Sequence, residues 1–169
     1  MKKFIAVLSL FMCFLMIFAF AGCKSDSASD ASSGDTEKEV VLSDVLDKIN
    51  SKFSVPVDDM TAIETTDDLE LYYNIAPADV KQFAAQTTKN TATDISEIIL
   101  VEAVDSDAAQ RVYDALEYRY SSQRDLCASY SAELLAIINK CSVEIDGNFV
   151  SLIMSDSSKD ITDYYNSLI

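Results

Sequence analysis

The sequence predicts an α+β domain with a four-stranded, mostly antiparallel sheet and helices packed on one face. Three observations carry this. Ile98-Ile99-Leu100-Val101 is a near-continuous apolar, largely β-branched run, the signature of a central strand buried on both faces. Around Asp146-Gly147-Asn148, residues 142–155 alternate in polarity, which is a hairpin with its turn. Between and around these lie stripes of apolar residues at helical spacing. The predicted order is two hairpins, each followed by helix, a ββα-ββα-like plan.

Each element has its own local reason. Leu42, Val45, Leu46, Ile49 and Phe53 recur at helical spacing. Ser43 is placed to cap this helix and Pro56 to stop it. Thr66 followed by Asp67-Asp68 reads as a second helix start, because carboxylates favour the positive end of the helix dipole. Leu69, Tyr72 and Tyr73 give that helix a short apolar face, ending near Asn74. Ala76-Pro77 is punctuation. Val80–Thr87 fits either a short helix or a strand. As a strand it is the nearest antiparallel neighbour for the run at Ile95–Val104.

Asp105 or Ser106 caps a long helix whose stripe is Ala109, Val112, Tyr113, Leu116 and Tyr120. Ser121-Ser122 marks a bend or an end. A further helix starts near Ser131, with Leu134, Leu135, Ile137 and Ile138 in its core. After the hairpin, Ile161, Tyr164, Tyr165 and Leu168 share one face of a last helix, capped by Ser157 or Ser158.

The 169 residues divide into three segments by composition. Lys2 and Lys3 precede an almost purely apolar run from Phe4 to Phe20, with small residues at its end. That is the pattern of an export signal rather than of fold. Phe18-Ala19-Phe20-Ala21-Gly22-Cys23 resembles the lipobox of bacterial lipoproteins. A thiol accepts the diacylglyceryl group, and the small residues before it suit the signal peptidase. Phe20 stands where that pattern prefers Leu, a departure expected to slow processing rather than abolish it. Two other readings are a retained transmembrane helix, near the short limit of roughly 17–25 residues, and an ordinary signal cut elsewhere. The polarity break directly after Cys23 favours lipidation. Residues 1–22 are therefore expected to leave.

Residues 23–39 form the lipidated Cys23 and a Ser/Asp-rich tether with almost nothing to bury, expected to be disordered. As a flexible coil the tether reaches roughly 20–24 Å. Residues 40–169 form the single folded domain, long enough for a real core.

Charge excludes several partners. Without Lys2 and Lys3 the chain carries 11 Lys and Arg against 28 Asp and Glu, a net of −17. Such a surface repels nucleic acid and anionic headgroups, so no nucleic-acid partner is expected. The membrane is reached through the lipid on Cys23 alone, on the outer face of the cytoplasmic membrane. Cations and basic protein surfaces are electrostatically permitted.

Catalytic signals are weak. The chain has no His, which removes the commonest general base and metal ligand and leaves any serine triad incomplete. There is no nucleophile elbow, no phosphate loop and no CxxC motif. A Ser–Lys pair using Lys140 or Lys159 has no motif behind it. Asp58-Asp59, Asp67-Asp68 and Asp105-Ser106-Asp107 lack the glycine and terminal glutamate of a calcium loop and read as solvated surface. Cys127 and Cys141 are the thiols expected beyond the membrane. They either form a disulfide or sit as two small buried apolar residues. The eight tyrosines either rim the core or line a binding face.

The segments Leu42–Phe53, Leu69–Ile75 with Ala76-Pro77-Ala78-Asp79-Val80, Asp94–Leu100, the long helix with Tyr130 behind it, and Gly147-Asn148-Phe149-Val150 together resemble a family of small lipoproteins of unknown function from clostridial-type Gram-positive bacteria. The resemblance implies a lipoprotein address and no chemistry. The expected role is a non-catalytic binding or accessory lipoprotein with an envelope protein or ligand as partner. No cofactor is expected beyond the covalent diacylglycerol. A carboxylate-dependent envelope hydrolase and a structural envelope component are the alternatives.

Overall fold

The computed structural model describes residues 39–169. Cys23, the expected leader and most of the expected tether lie outside the described residues. The elements run α1 (Leu42–Phe53), β1 (Met60–Ile63), α2 (Thr66–Tyr73), β2 (Val80–Thr88), β3 (Glu97–Ala103), α3 (Ser106–Tyr130), α4 (Ala132–Ile138), β4 (Val143–Asp146), β5 (Phe149–Met154) and α5 (Ser158–Asn166). All five strands pair antiparallel in the order β1-β2-β3-β5-β4.

The α+β class is as expected, but the sheet has five strands rather than four. The additional strand is β1, four residues pairing Met60 with Thr88 and Ile63 with Ala85. Val80–Thr88 is strand, not helix, because it is paired on both sides, with β1 and with β3. As expected, β3 is the buried centre, with every residue of it buried.

Helices cover both faces, which corrects the one-sided arrangement. Ile99 and Val101 join Val150, Leu152 and Met154 in one core, against Leu69 and Tyr73 of α2, Val112 and Leu116 of α3, and Ile138 of α4. Ile98, Leu100 and Ile153 face the other way, against Leu42, Val45 and Ile49 of α1 and Ile161 and Tyr165 of α5. Side chains alternate across a strand, so apolar residues at consecutive positions of β3 and β5 need a cover on each side.

Local signals were mostly placed within a residue or two. The β4–β5 loop is Gly147-Asn148, and Gly147 has a φ of 56°, the left-handed region that glycine enters without penalty. Helix α1 begins after Val41 with no side-chain cap. Its first N–H is met from across the fold, as Leu42 donates to Gln82 Oε1 at 3.0 Å, so Ser43 is not its cap. Helix α2 is capped by Thr65, one residue before the predicted Thr66. Asp105 caps α3 and Ser131 caps α4. The serines at 121 and 122 do not end α3, which runs unbroken for 25 residues. Ser157 precedes α5 without a side-chain cap bond.

Tyr165 is 2% exposed and its hydroxyl makes no hydrogen bond among the described residues. Burial, then the charges of Asp146, Glu102 and Glu144, push its ionisation far up. A buried unpaired hydroxyl costs about 1–3 kcal/mol in lost hydration. Tyr165→Phe is therefore expected to be neutral or stabilising in urea unfolding. A loss above about 1 kcal/mol would show that the hydroxyl is satisfied in solution.

Candidate functional site

The most developed concave region lies where α2 crosses the sheet beside α3. Its construction starts at Thr65. The Thr65 side chain accepts from Asp68 N at 3.1 Å, and the Asp68 carboxylate accepts from Thr65 N at 3.2 Å. This capping box starts a helix of only eight residues. So short a helix buries one narrow face, Leu69 and Tyr73, and turns Leu71 and Tyr72 to solvent, 73% and 58% exposed. Across from them α3 presents Tyr118, 76% exposed.

Beneath this rim sits a buried polar group. Glu97 opens β3 and its side chain is 2% exposed. Tyr73 Oη donates to Glu97 Oε1 at 2.5 Å. Arg119 donates from Nε to Glu97 Oε2 at 3.2 Å and from Nη2 to Oε1 at 3.1 Å. With the Gln123 amide oxygen turned toward Arg119, it accepts from Nη1 at 2.8 Å and Nη2 at 3.2 Å. The guanidinium also lies 5.5 Å from the centre of the Tyr73 ring, within cation–π range.

Three hollows share Tyr73 as a wall. One of about 490 Å³ is lined by Thr61, Ile63, Glu64, Tyr72, Lys89 and Arg119, among others. A second, about 250 Å³, runs between Leu71 and Tyr118 over Arg119. A third, about 400 Å³, lies beyond Asn74 between Asp79, Arg111 and Asp114.

Burial and the Glu97 charge push the Tyr73 phenol far above its ordinary range, so it stays protonated and is no base. Both Glu97 oxygens are engaged. Arg111 is occupied by Asp79, with bonds of 3.0 and 2.6 Å; the Arg111 pairing holds the Asp79 carboxyl below its usual range against the opposing effect of burial. Lys89 Nζ donates to the Asp58 carbonyl oxygen at 2.7 Å. Arg111 and Arg119 are thus paired with carboxylates and the exposed Lys89 with a backbone carbonyl oxygen, while Glu64 and Glu70 form no ion pair among the described residues.

The residues singled out in the sequence fall elsewhere or divide. Cys127 and Cys141 are buried free thiols. Burial raises the Cys127 thiol, and Cys141 Sγ lies 3.5 Å from Ile137 O and 3.7 Å from Ser155 O. Lys140, Lys159 and Ser158 do share a hollow of about 250 Å³. However, Ser158 Oγ donates to the Lys140 carbonyl oxygen, and Asp163 holds Lys159, raising its pKa. A serine–lysine base would need the opposite shift. Asp58, Asp59, Asp67, Asp105 and Asp107 are exposed. Among the described residues no group of three or more His, Cys, Asp or Glu could hold a metal ion, and no helix is long and apolar enough to cross a membrane.

The tyrosines split between the two readings. Tyr73 and Tyr165 are core; Tyr72, Tyr118 and Tyr130 are exposed. Glu97, Arg119 and the Tyr73 phenol were not foreseen as a group. They are 22 and 24 residues apart, on three different elements, and no local spacing brings them together.

A family model described as a domain of unknown function (DUF4358) matches residues 54–155. The match takes in all five strands, α2, α3 and α4, hence the whole groove, and stops short of α1 and α5. No curated protein and no solved structure matches the chain.

Proposed function

The chain belongs to the DUF4358 family, and from that premise we propose that it is a lipid-anchored extracytoplasmic lipoprotein whose domain binds a partner without catalysis. On this reading it is a small lipoprotein of the clostridial Gram-positive kind. Cys23 carries the diacylglycerol, and the domain stands off the outer face of the cytoplasmic membrane on the tether.

The observation that carries the binding role is the exposed trio Leu71, Tyr72 and Tyr118 around hollows that share Tyr73. Large apolar side chains gathered at a concavity mark interaction surfaces more than scattered ones do. Tyrosine suits such surfaces because it offers area at low conformational cost. The rigid base under the rim, Glu97 locked to Tyr73 and Arg119, keeps that surface preorganised.

Two tests separate the parts of this reading. Cys23→Ser is expected to abolish incorporation of labelled fatty acid; equal labelling of mutant and parent would end the lipoprotein assignment. A photo-reactive residue at Tyr118 is expected to capture a second protein in intact cells, and one at Asp47, exposed on α1, is not. Equal capture at both positions would remove the groove as the binding face.

A further inference from the structure

Resting on the groove reading, we infer that its occupant is a basic protein segment with an apolar anchor. Four carboxylates line the hollows, Glu64, Asp68, Asp79 and Asp114; Glu97 bonds to Tyr73 and Arg119 in their walls, and Glu70 is exposed on α2 next to Leu71. Two of these six are neutralised within the fold, Asp79 by Arg111 and Glu97 by Arg119. The remaining four have no cationic partner among the described residues; Asp114 accepts only from the neutral Gln110 amide, and Asp68 is spent on the α2 cap. Arg111 and Arg119 are committed to Asp79 and Glu97, and Lys89, which lines one hollow and bonds to the Asp58 carbonyl oxygen, offsets only one of the four charges.

A neutral or acidic partner that covered Leu71, Tyr72 and Tyr118 would strip water from these carboxylates and return nothing, which is costly. A partner carrying Lys or Arg beside an apolar side chain gains from both the aromatic rim and its acidic surround. Competing occupants fail the same test. The tether, Lys24–Glu39, holds five acids against two lysines and no large apolar residue. A second copy would bring the same carboxylates against themselves. Anionic headgroups are repelled.

The experiment is identification of the peptide crosslinked to a photo-reactive residue at Tyr118 of the full chain in intact cells. The expected peptide comes from another protein, carries net positive charge and contains a large apolar residue. The double reversal Glu70→Lys with Asp114→Lys should cut its yield about tenfold or more, as like charges meet across the contact. Asp47→Lys, on the far face, should leave the yield unchanged. A captured peptide that is neutral or acidic, or a yield indifferent to the double reversal, overturns the basic partner while sparing the groove. Capture of this chain's own residues, of a second copy, or of nothing overturns both.

Discussion

Arg119→Met is expected to lower the stability of the domain by about 3–5 kcal/mol, the cost of leaving a buried carboxylate unpaired. Arg119 is the only cation that reaches Glu97 among the described residues, and the Glu97 side chain is 2% exposed. Methionine keeps the aliphatic length that packs along α3 but removes every donor. Glu97 would then rely on the Tyr73 phenol, whose single hydrogen bond cannot offset the desolvation of a charge. Glu97→Leu with Arg119→Met removes both charges, and should recover most of that loss, because a buried pair replaced by apolar groups of similar volume is often near neutral. Urea unfolding of both variants measures this coupling. A loss below about 1 kcal/mol for Arg119→Met would mean that water reaches Glu97, and that the base of the groove is not the rigid support it is taken to be.

How far the sequence foretold the fold depends on where the causes are local. The β4–β5 hairpin was readable because Gly147 and the alternation around it are neighbours in the chain. Helix α3 was readable from its stripe, and its passage through Ser121-Ser122 was not, since serine weakens a helix only slightly and packing of Leu116 and Cys127 on either side decides. Strand β1 left almost no trace: Met60-Thr61-Ala62-Ile63 is too short to alternate and borrows its order from β2. Val80–Thr88 was ambiguous for the related reason that its conformation is fixed by partners on both sides. The candidate site was the least legible part. Tyr72 and Tyr118 look like Tyr73 and Tyr165 in the chain, and only the short, tightly capped α2 decides which of them face solvent.

The two-sided sheet is the correction with the largest energetic consequence, and adjacent residues of β3 test it. Ile99 points into the core under α2, α3 and α4, and Leu100 into the core under α1 and α5, both 0% exposed. Ile99→Ala and Leu100→Ala are each expected to cost about 2–5 kcal/mol, as for other large-to-small changes at fully packed sites. With helices on one face only, one of these neighbours would face water and its truncation would cost within about 0.5 kcal/mol, like other surface changes. Urea unfolding therefore reads the architecture directly. Two large losses require a cover on each face; a large loss at Ile99 with a negligible one at Leu100 would remove α1 and α5 from the sheet. That outcome would matter beyond the fold. Helices α1 and α5 lie outside the segment that matches the family, residues 54–155, yet Gln82 and Gln86 of β2 bond to Leu42 and Asn50 of α1 across the sheet. A core of Leu42, Ile49, Leu100, Ile153, Ile161 and Tyr165 makes those helices part of the platform that holds β2 and β3, and hence Glu97, in place.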